Sequence, residues 1–337
     1  MKTAEDLAEA LGLRCAAAAE HRGDSLVATA PPATRWLLIE HRAPWPRQAL
    51  TALTSTRVAE VADEVGAVVD LAAEVGRLCA AAGIRPVLIR RHGRQDRSTP
   101  RRWALVDSRP GQESVHWGEL PTDDHLLNVL AGRDPGTPST DPIYLICTHG
   151  RHDACCAIRG RPAAAALSTA FPDQTWECSH IGGDRFAANL VFLPHSLFYG
   201  HVPSAEAVNL ATHYNEGLLV PKYLRGSGAY PPPVQAAQHF ARTAGASRSL
   251  NARHPSQITT PTPTTWQIHL TPTPNNTPGT TATTTTTATD VANANANAST
   301  SASDVAGTKA STSTKANRRR MTKSPPERPG QARTAAP

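Results

Sequence analysis

Short apolar runs alternate with longer segments of helical period, and the alternation occurs twice along the chain. Trp36-Leu37-Leu38-Ile39 reads as a buried strand. Thr54–Ala82 is rich in Ala, Val, Leu and Glu at helical spacing and meets a stop at Gly83, so it reads as a helix. Pro86–Ile89 and Arg102–Val106 follow as strands, then a short helix over Asp123–Ala131. Gly132–Thr140 is a Gly/Pro/Ser/Thr linker. Beyond it the pattern restarts. Ile143–Cys147 is a strand and Asp153–Phe171 a helix, with Pro162 an awkward residue inside it. Thr175–Ser179 is a strand; Phe186–Leu193 and Leu197–Tyr199 form an antiparallel pair around Pro194. Helices over Ala205–Tyr214 and Val234–Ala244 close the unit, separated by a loop containing Arg225-Gly226 and Pro231–Pro233. Strand–helix–strand order predicts an α/β fold, with an α/β part over 14–131 and a second over 141–245.

After about residue 250 the composition changes to Thr, Pro, Asn and Ala. Trp266–Leu270 is a lone strand-like island at the domain edge. Residues 273–337 hold too little apolar matter to offset the entropy of ordering, which predicts a disordered tail. The net charge of +6 resides there: nine Lys/Arg and three Asp/Glu lie from Arg253 onward, and the preceding basic and acidic residues cancel. A neutral folded part argues against nucleic-acid binding, which needs a concentrated basic surface. No apolar run is long enough to span a membrane, and the start MKTAEDLAEALGL lacks the apolar core of a secretory signal. Six cysteines in 337 residues do not make a disulfide scaffold. The expectation is a cytoplasmic protein with reduced thiols.

Four of those six cysteines fall within 32 positions, Cys147 to Cys178. They sit in Cys147-Thr148-His149-Gly150-Arg151-His152-Asp153-Ala154-Cys155-Cys156 and Trp176-Glu177-Cys178-Ser179-His180-Ile181-Gly182-Gly183-Asp184-Arg185. Cys147 ends one strand and Cys156 lies in the first turns of the next helix, so the loop between them can aim both thiols at one centre. Cys178 and His180 are two apart near a strand end and can share a face. Gly182-Gly183 allows a tight turn that brings His180 and Asp184 together. Thiolate and imidazole donors suit zinc or an iron–sulfur cluster, and the spacing alone does not choose. The competing reading is a set of buried free cysteines. There is no Cys-x-x-Cys pair for dithiol exchange.

These motifs together resemble the sucrase/ferredoxin-like family. So do Thr29-Ala30-Pro31-Pro32 ahead of Arg35–Glu40, and Tyr223-Leu224-Arg225-Gly226 followed by Val234–Ala237. The resemblance covers about residues 14–245. It implies a thioredoxin-like ferredoxin domain in which, as in fungal relatives, two cysteines and two histidines hold a [2Fe–2S] cluster. Carried over, the ligands are Cys147, Cys156 and His180, with Asp184 at the second histidine position. Asp184 is a harder donor than imidazole, and Cys178 is the nearest substitute for it. The implied function is electron transfer to a redox protein partner of unknown identity.

Other residues receive blander assignments. Cys155 packs beside Cys156; Cys15 and Cys79 are structural. His149 and His152 stand behind the ligands as tuning groups. Arg151 and Arg185 offset cluster charge or pair with Asp184. Two other functions compete: a zinc-stabilised or metal-free scaffold for a protein partner, and a thiol enzyme using Cys155 or Cys178. No carboxylate pair can be assigned to glycoside hydrolysis, and no Gly-x-Gly-x-x-Gly marks a nucleotide site.

Overall fold

The computed structural model describes residues 14–55, 58–61, 64–68, 70–243, 247–271, 282–287 and 301–304. Helix α1 (Cys15–Arg22) ends at Gly23, whose φ of 68° suits a residue without a Cβ. Strand β1 (Arg35–Glu40) follows, then a hairpin of β2 (Val58–Val61) and β3 (Glu64–Val68). The expected helix over Thr54–Ala82 is therefore confined to α2 (Leu71–Ala81). The Val residues of 58–68 favour extended backbone, and Asp70 caps α2 by accepting from the Ala73 N–H at 3.0 Å. Strands β4 (Arg85–Arg90), β5 (Arg102–Asp107) and β6 (Ser114–Glu119) precede the short helix α3 (Leu126–Leu130). The expected linker contains strand β7 (Thr137–Ser139), which pairs with β6.

Strand β8 (Ile143–Cys147) leads into α4 (Ala154–Ala170), then β9 (Thr175–Cys178). Helix α4 runs through Pro162 without a break because Pro162 is exposed, so the Ile158 carbonyl it leaves unpaired can bond water. Strand β10 (Leu190–Leu193) is shorter than expected, since Asp184–Phe186 forms a 3-10 turn. It hairpins to β11 (Leu197–Tyr199) ahead of α5 (Ser204–Asn215). Arg225-Gly226 lies in a strand, β12 (Leu224–Ser227), and helix α6 begins early, at Pro232, and ends at Thr243.

Ten strands form one sheet in the order β12-β11-β10-β8-β9-β4-β1-β5-β6-β7. Only β1/β4 and β8/β9 pair in parallel. The two expected α/β parts thus share a single sheet, joined where β4 meets β9 at Ile89↔Cys178. Alternation divides the core. Trp36, Leu38, Val87, Ile89, Ile143, Leu145, Cys147 and Cys178 point to one face. On the other face, Tyr144 and Ile146 pack with α4 and α5, and Leu37, Ile39 and Leu88 pack with α2 and α3.

The Trp266–Leu270 island is part of β14 (Thr265–Thr271), which is not alone. It lies between β13 (His254–Thr262) and β15 (Ala282–Thr287), and β16 (Ser301–Asp304) completes a four-stranded antiparallel sheet. Ile268 and Leu270 bury against Val234, Ala237 and Ala241 of α6. The expected disordered tail otherwise falls outside the described residues. Among those described, no helix is long and apolar enough to cross a membrane.

Candidate metal centre

The site forms where β8 and β9 end and α4 begins. Cys147 is the last residue of β8 and Cys178 the last of β9; the two are paired neighbours. Beyond Cys147 the loop is fixed by buried polar contacts. Thr148 Oγ1 donates to Glu177 Oε2 at 3.0 Å, and Glu177 also binds Arg90 and His92. Asp153 caps α4 by accepting from the Cys155 N–H at 2.6 Å. Cys156 therefore stands in the first turn of α4, where the helix dipole favours a thiolate. Helix α4 can approach the end of β8 only because residue 160 is glycine. A Cβ there would lie 3.1 Å from the Cys147 carbonyl carbon and closer still to its oxygen.

The Gly182-Gly183 turn places the other two side chains. Both glycines have positive φ, 94° and 85°. The buried Arg225 holds the turn in place, donating from Nη1 to Gly182 O at 2.9 Å and to Asn189 Oδ1 at 2.8 Å. Its other nitrogens bind Thr29 Oγ1 at 3.1 Å and Thr29 O at 2.6 Å. Asn189 Nδ2 donates to Gly183 O at 2.7 Å. A Cβ on Gly183 would meet the Arg225 guanidinium at 2.6 Å. Burial, helped by the like charges of Arg185 and Arg85, lowers the Arg225 pKa to about 9.

This scaffold brings three donors together: the ligand atoms of Cys147, Cys156 and His180 lie within 4.8 Å of one another. Asp184 joins at the edge. Its Oδ1 is 3.6 Å from Cys156 Sγ and 3.0 Å from His180 Nδ1. The histidine contact is an ion pair rather than an aligned hydrogen bond, since the buried Nδ1 has no partner that meets hydrogen-bond geometry. His152, His180 and Asp184 form a second, overlapping donor group. The His152 ring stacks on His180 with centroids 3.7 Å apart, and its Nε2 is 3.8 Å from Asp184 Oδ2. Cys178 belongs to none of the donor groups among the described residues. Its sulfur is buried in the core, and burial, aided by the Cys147 charge, pushes its thiol well up.

The charges fit a metal-ready arrangement. A hydrogen bond from Cys156 holds the Cys147 thiol well below the usual range despite burial, and His180 adds to this. Cys156, as donor to Cys147, is pushed up. Burial opposes charge on His180, but Asp184 and Cys147 outweigh it and raise the imidazole to about 9. Asp184 is lowered: its own burial opposes this, and His180 prevails. These shifts favour the thiolate form of Cys147, the protonated imidazole of His180 and the carboxylate form of Asp184. A cation entering the site would displace protons from His180 and Cys156.

Around these donors, His149 buttresses the turn. Its Nδ1 accepts from the His180 N–H at 3.3 Å, and its Nε2 meets Pro46 O at 2.8 Å. Arg151 is exposed, and Arg185 pairs with Asp24 at 3.7 Å. Asp184 is therefore partnered by histidines, not by the expected arginines. Cys79 lies on the buried face of α2, in keeping with a structural role. Arg225, Asn189 and Gly160 were not visible as site residues. The only sequence trace of Arg225 is its place in the Tyr223–Gly226 motif.

A family model described as sucrase/ferredoxin-like matches residues 26–226. A protein named "Altered inheritance of mitochondria protein 32", from Meyerozyma guilliermondii, is 26% identical over 98 residues, covering 26% of this chain and 35% of that protein. The match thus spans about a third of that relative's length. No solved structure matches the chain significantly.

Proposed function

Starting from the fact that the chain belongs to the sucrase/ferredoxin-like family, we propose that it is a [2Fe–2S] redox protein that transfers electrons to a protein partner. Cys147, Cys156, His180 and Asp184 would hold the cluster. The observation that carries this reading is the convergence of two thiols and one imidazole within 4.8 Å, with a carboxylate against two of them. The donor chemistry fits the group: two soft sulfurs, and a buried ring nitrogen without an aligned hydrogen bond. When bound, the cluster would supply a one-electron couple. The chain's own part is to hold the donors and tune their field. Arg225 and Arg85, both close enough to feel the Cys147 charge, offset negative charge. His149 fixes the His180 backbone. His152 and His180 are the partly exposed edge, where a partner would approach.

The thioredoxin-like reading of 141–245 belongs to the same proposal. Its support is the strand order β9-β8-β10-β11, with β8/β9 parallel, the others antiparallel, and helices α4 and α5. Cytoplasmic placement is likewise proposed, from the reduced cysteines.

A zinc ion is the second reading. Two sulfurs, one nitrogen and one oxygen would fill the four positions of a closed structural site. Anaerobic purification with iron, sulfide and zinc analysis separates the two. Iron with matching acid-labile sulfide and visible absorption supports the cluster. Stoichiometric zinc without colour supports the scaffold. A protein that takes up neither metal after reconstitution would sink both.

A further inference from the structure

A third group of donors, Cys15, Asp153 and Cys155, joins helix α1 to the start of α4, with Cys155 one residue from Cys156. Cys15 Sγ is 3.2 Å from Cys155 Sγ and 3.3 Å from Asp153 Oδ2. Cys15 opens α1 and Cys155 lies in the first turn of α4, 140 positions away in sequence. Neither thiol belongs to the Cys147–Cys156–His180 group. Cys15 also lies upstream of the residues that match the family.

We propose that Cys15 and Cys155 are a reversible disulfide site that clamps α1 to the start of α4. The two helices are held in register for it. Glu20 of α1 grips Arg159 of α4 with two hydrogen bonds, at 2.5 and 2.8 Å, and meets His201 at 3.2 Å. At the other end of α1, Cys15 and Ala16 pack with Cys155 and Ala187. Sulfurs held at 3.2 Å need to close by little more than 1 Å to reach a bond of about 2.05 Å. Access is one-sided. Cys15 is half-buried and lines an open cavity of about 540 Å³ with Asp153, Asp184 and Arg185, whereas Cys155 is buried. Cys15 is therefore the thiol that meets an oxidant and Cys155 the one that resolves it.

The oxidant class is a small-molecule disulfide. The Cys15 sulfur attacks one sulfur of that disulfide, forming a mixed disulfide and breaking the small S–S bond. The Cys15 proton passes by way of Asp153, which already accepts it, to the departing small thiolate. The Cys155 sulfur then attacks the Cys15 sulfur, and the second small thiol leaves with the Cys155 proton. Two protein thiols are oxidised and one small disulfide becomes two thiols. The oxidised pair fixes the first turn of α4, the turn that also carries Cys156. The inference does not depend on any metal at Cys156.

Thiol mapping on the full chain tests it. The protein is equilibrated with oxidised glutathione, free thiols are alkylated, and trypsin is added. Cleavage after Arg14, Arg22, Arg151 and Arg159 isolates residues 15–22 and 152–159. The expected product is these two peptides joined through Cys15 and Cys155, with Cys156 outside the link and reactive thiols per chain reduced by two. Cys155→Ser should trap glutathione on Cys15, and Cys15→Ser should leave Cys155 free. The proposal is overturned if Cys15 stays fully alkylatable in excess oxidant, if the link runs to Cys156 instead, or if Cys155→Ser carries no adduct. The wild-type map needs no variant, so a misfolded mutant cannot obscure the answer.

Discussion

Gly160→Ala should destabilise the protein although alanine is the better helix former. In α4 the added Cβ would sit 3.1 Å from the Cys147 carbonyl carbon and nearer to the oxygen, where ordinary contact is about 3.5–4.0 Å. The obstacle is backbone at both ends, so neither side can rotate away. Relief requires α4 to lift off the end of β8, at the upper part of the overpacking range, about 3 kcal/mol. Alanine returns about 1 kcal/mol of helix propensity, leaving a net loss of about 2 kcal/mol. For a folded part of this size that lowers Tm by roughly 4–8 °C. Gly76→Ala is the internal control: it lies in α2 and its Cβ would meet nothing within 4 Å. It should raise stability by about 0.5–1 kcal/mol. Thermal and urea unfolding, followed by circular dichroism, measure both. If the two substitutions shift stability in the same direction, α4 does not rest on Cys147, and the juxtaposition of Cys147 with Cys156 loses its structural basis.

Other variants probe the turn, the fourth donor and helix α1. Arg225→Lys removes the fork that spans Thr29, Gly182 and Asn189; a loss of about 2–4 kcal/mol in urea unfolding is expected. Asp184→Ala should lower bound iron after reconstitution, whereas Cys178→Ala should retain it, because Cys178 stands outside the donor groups; iron content per chain decides between them. Hydrogen bonding to Arg159, opposed by burial, holds the Glu20 carboxyl below its ordinary 4.5. A depressed carboxyl adds stability above its unfolded value and loses it as pH falls through the lower folded value. Below about pH 4.5 the α1 contact should weaken, and Glu20→Gln should flatten that slope in urea midpoints taken across the acid range.

The parts of the fold legible in sequence are those with local, periodic signals. Ile143–Cys147 is continuously apolar and became β8; Ala154–Ala170 is Ala-rich and capped by Asp153, and became α4. The Cys147–Cys156–His180 convergence followed from strand ends and a double glycine, which are also local. The failures are non-local. Val58–Val68 has residues at helical spacing, but β-branching favoured a hairpin ahead of the Asp70 cap. Arg225-Gly226 reads as a loop, but the segment is a strand paired with β11, and the partners of the Arg225 side chain come from Thr29, Gly182 and Asn189, far away in the chain. The alternation of Val115 and Trp117 in β6 was a readable signal, whereas β7, with a proline, was not. The approach of Asp184 to His180 was readable from the double glycine, whereas the contact with His152 was not, because His152 reaches it from the other loop.

In the proposed site Cys147, Cys156, His180 and Asp184 hold a [2Fe–2S] cluster with one histidine nitrogen. Pulsed EPR of the anaerobically reconstituted, dithionite-reduced protein tests this most directly. The expected spectrum is a spin-half signal with strong coupling to a single histidine nitrogen, lost in His180→Ala and unchanged in His152→Ala. A silent spectrum from iron-loaded protein, coupling to two histidines, or a signal indifferent to His180→Ala would contradict it.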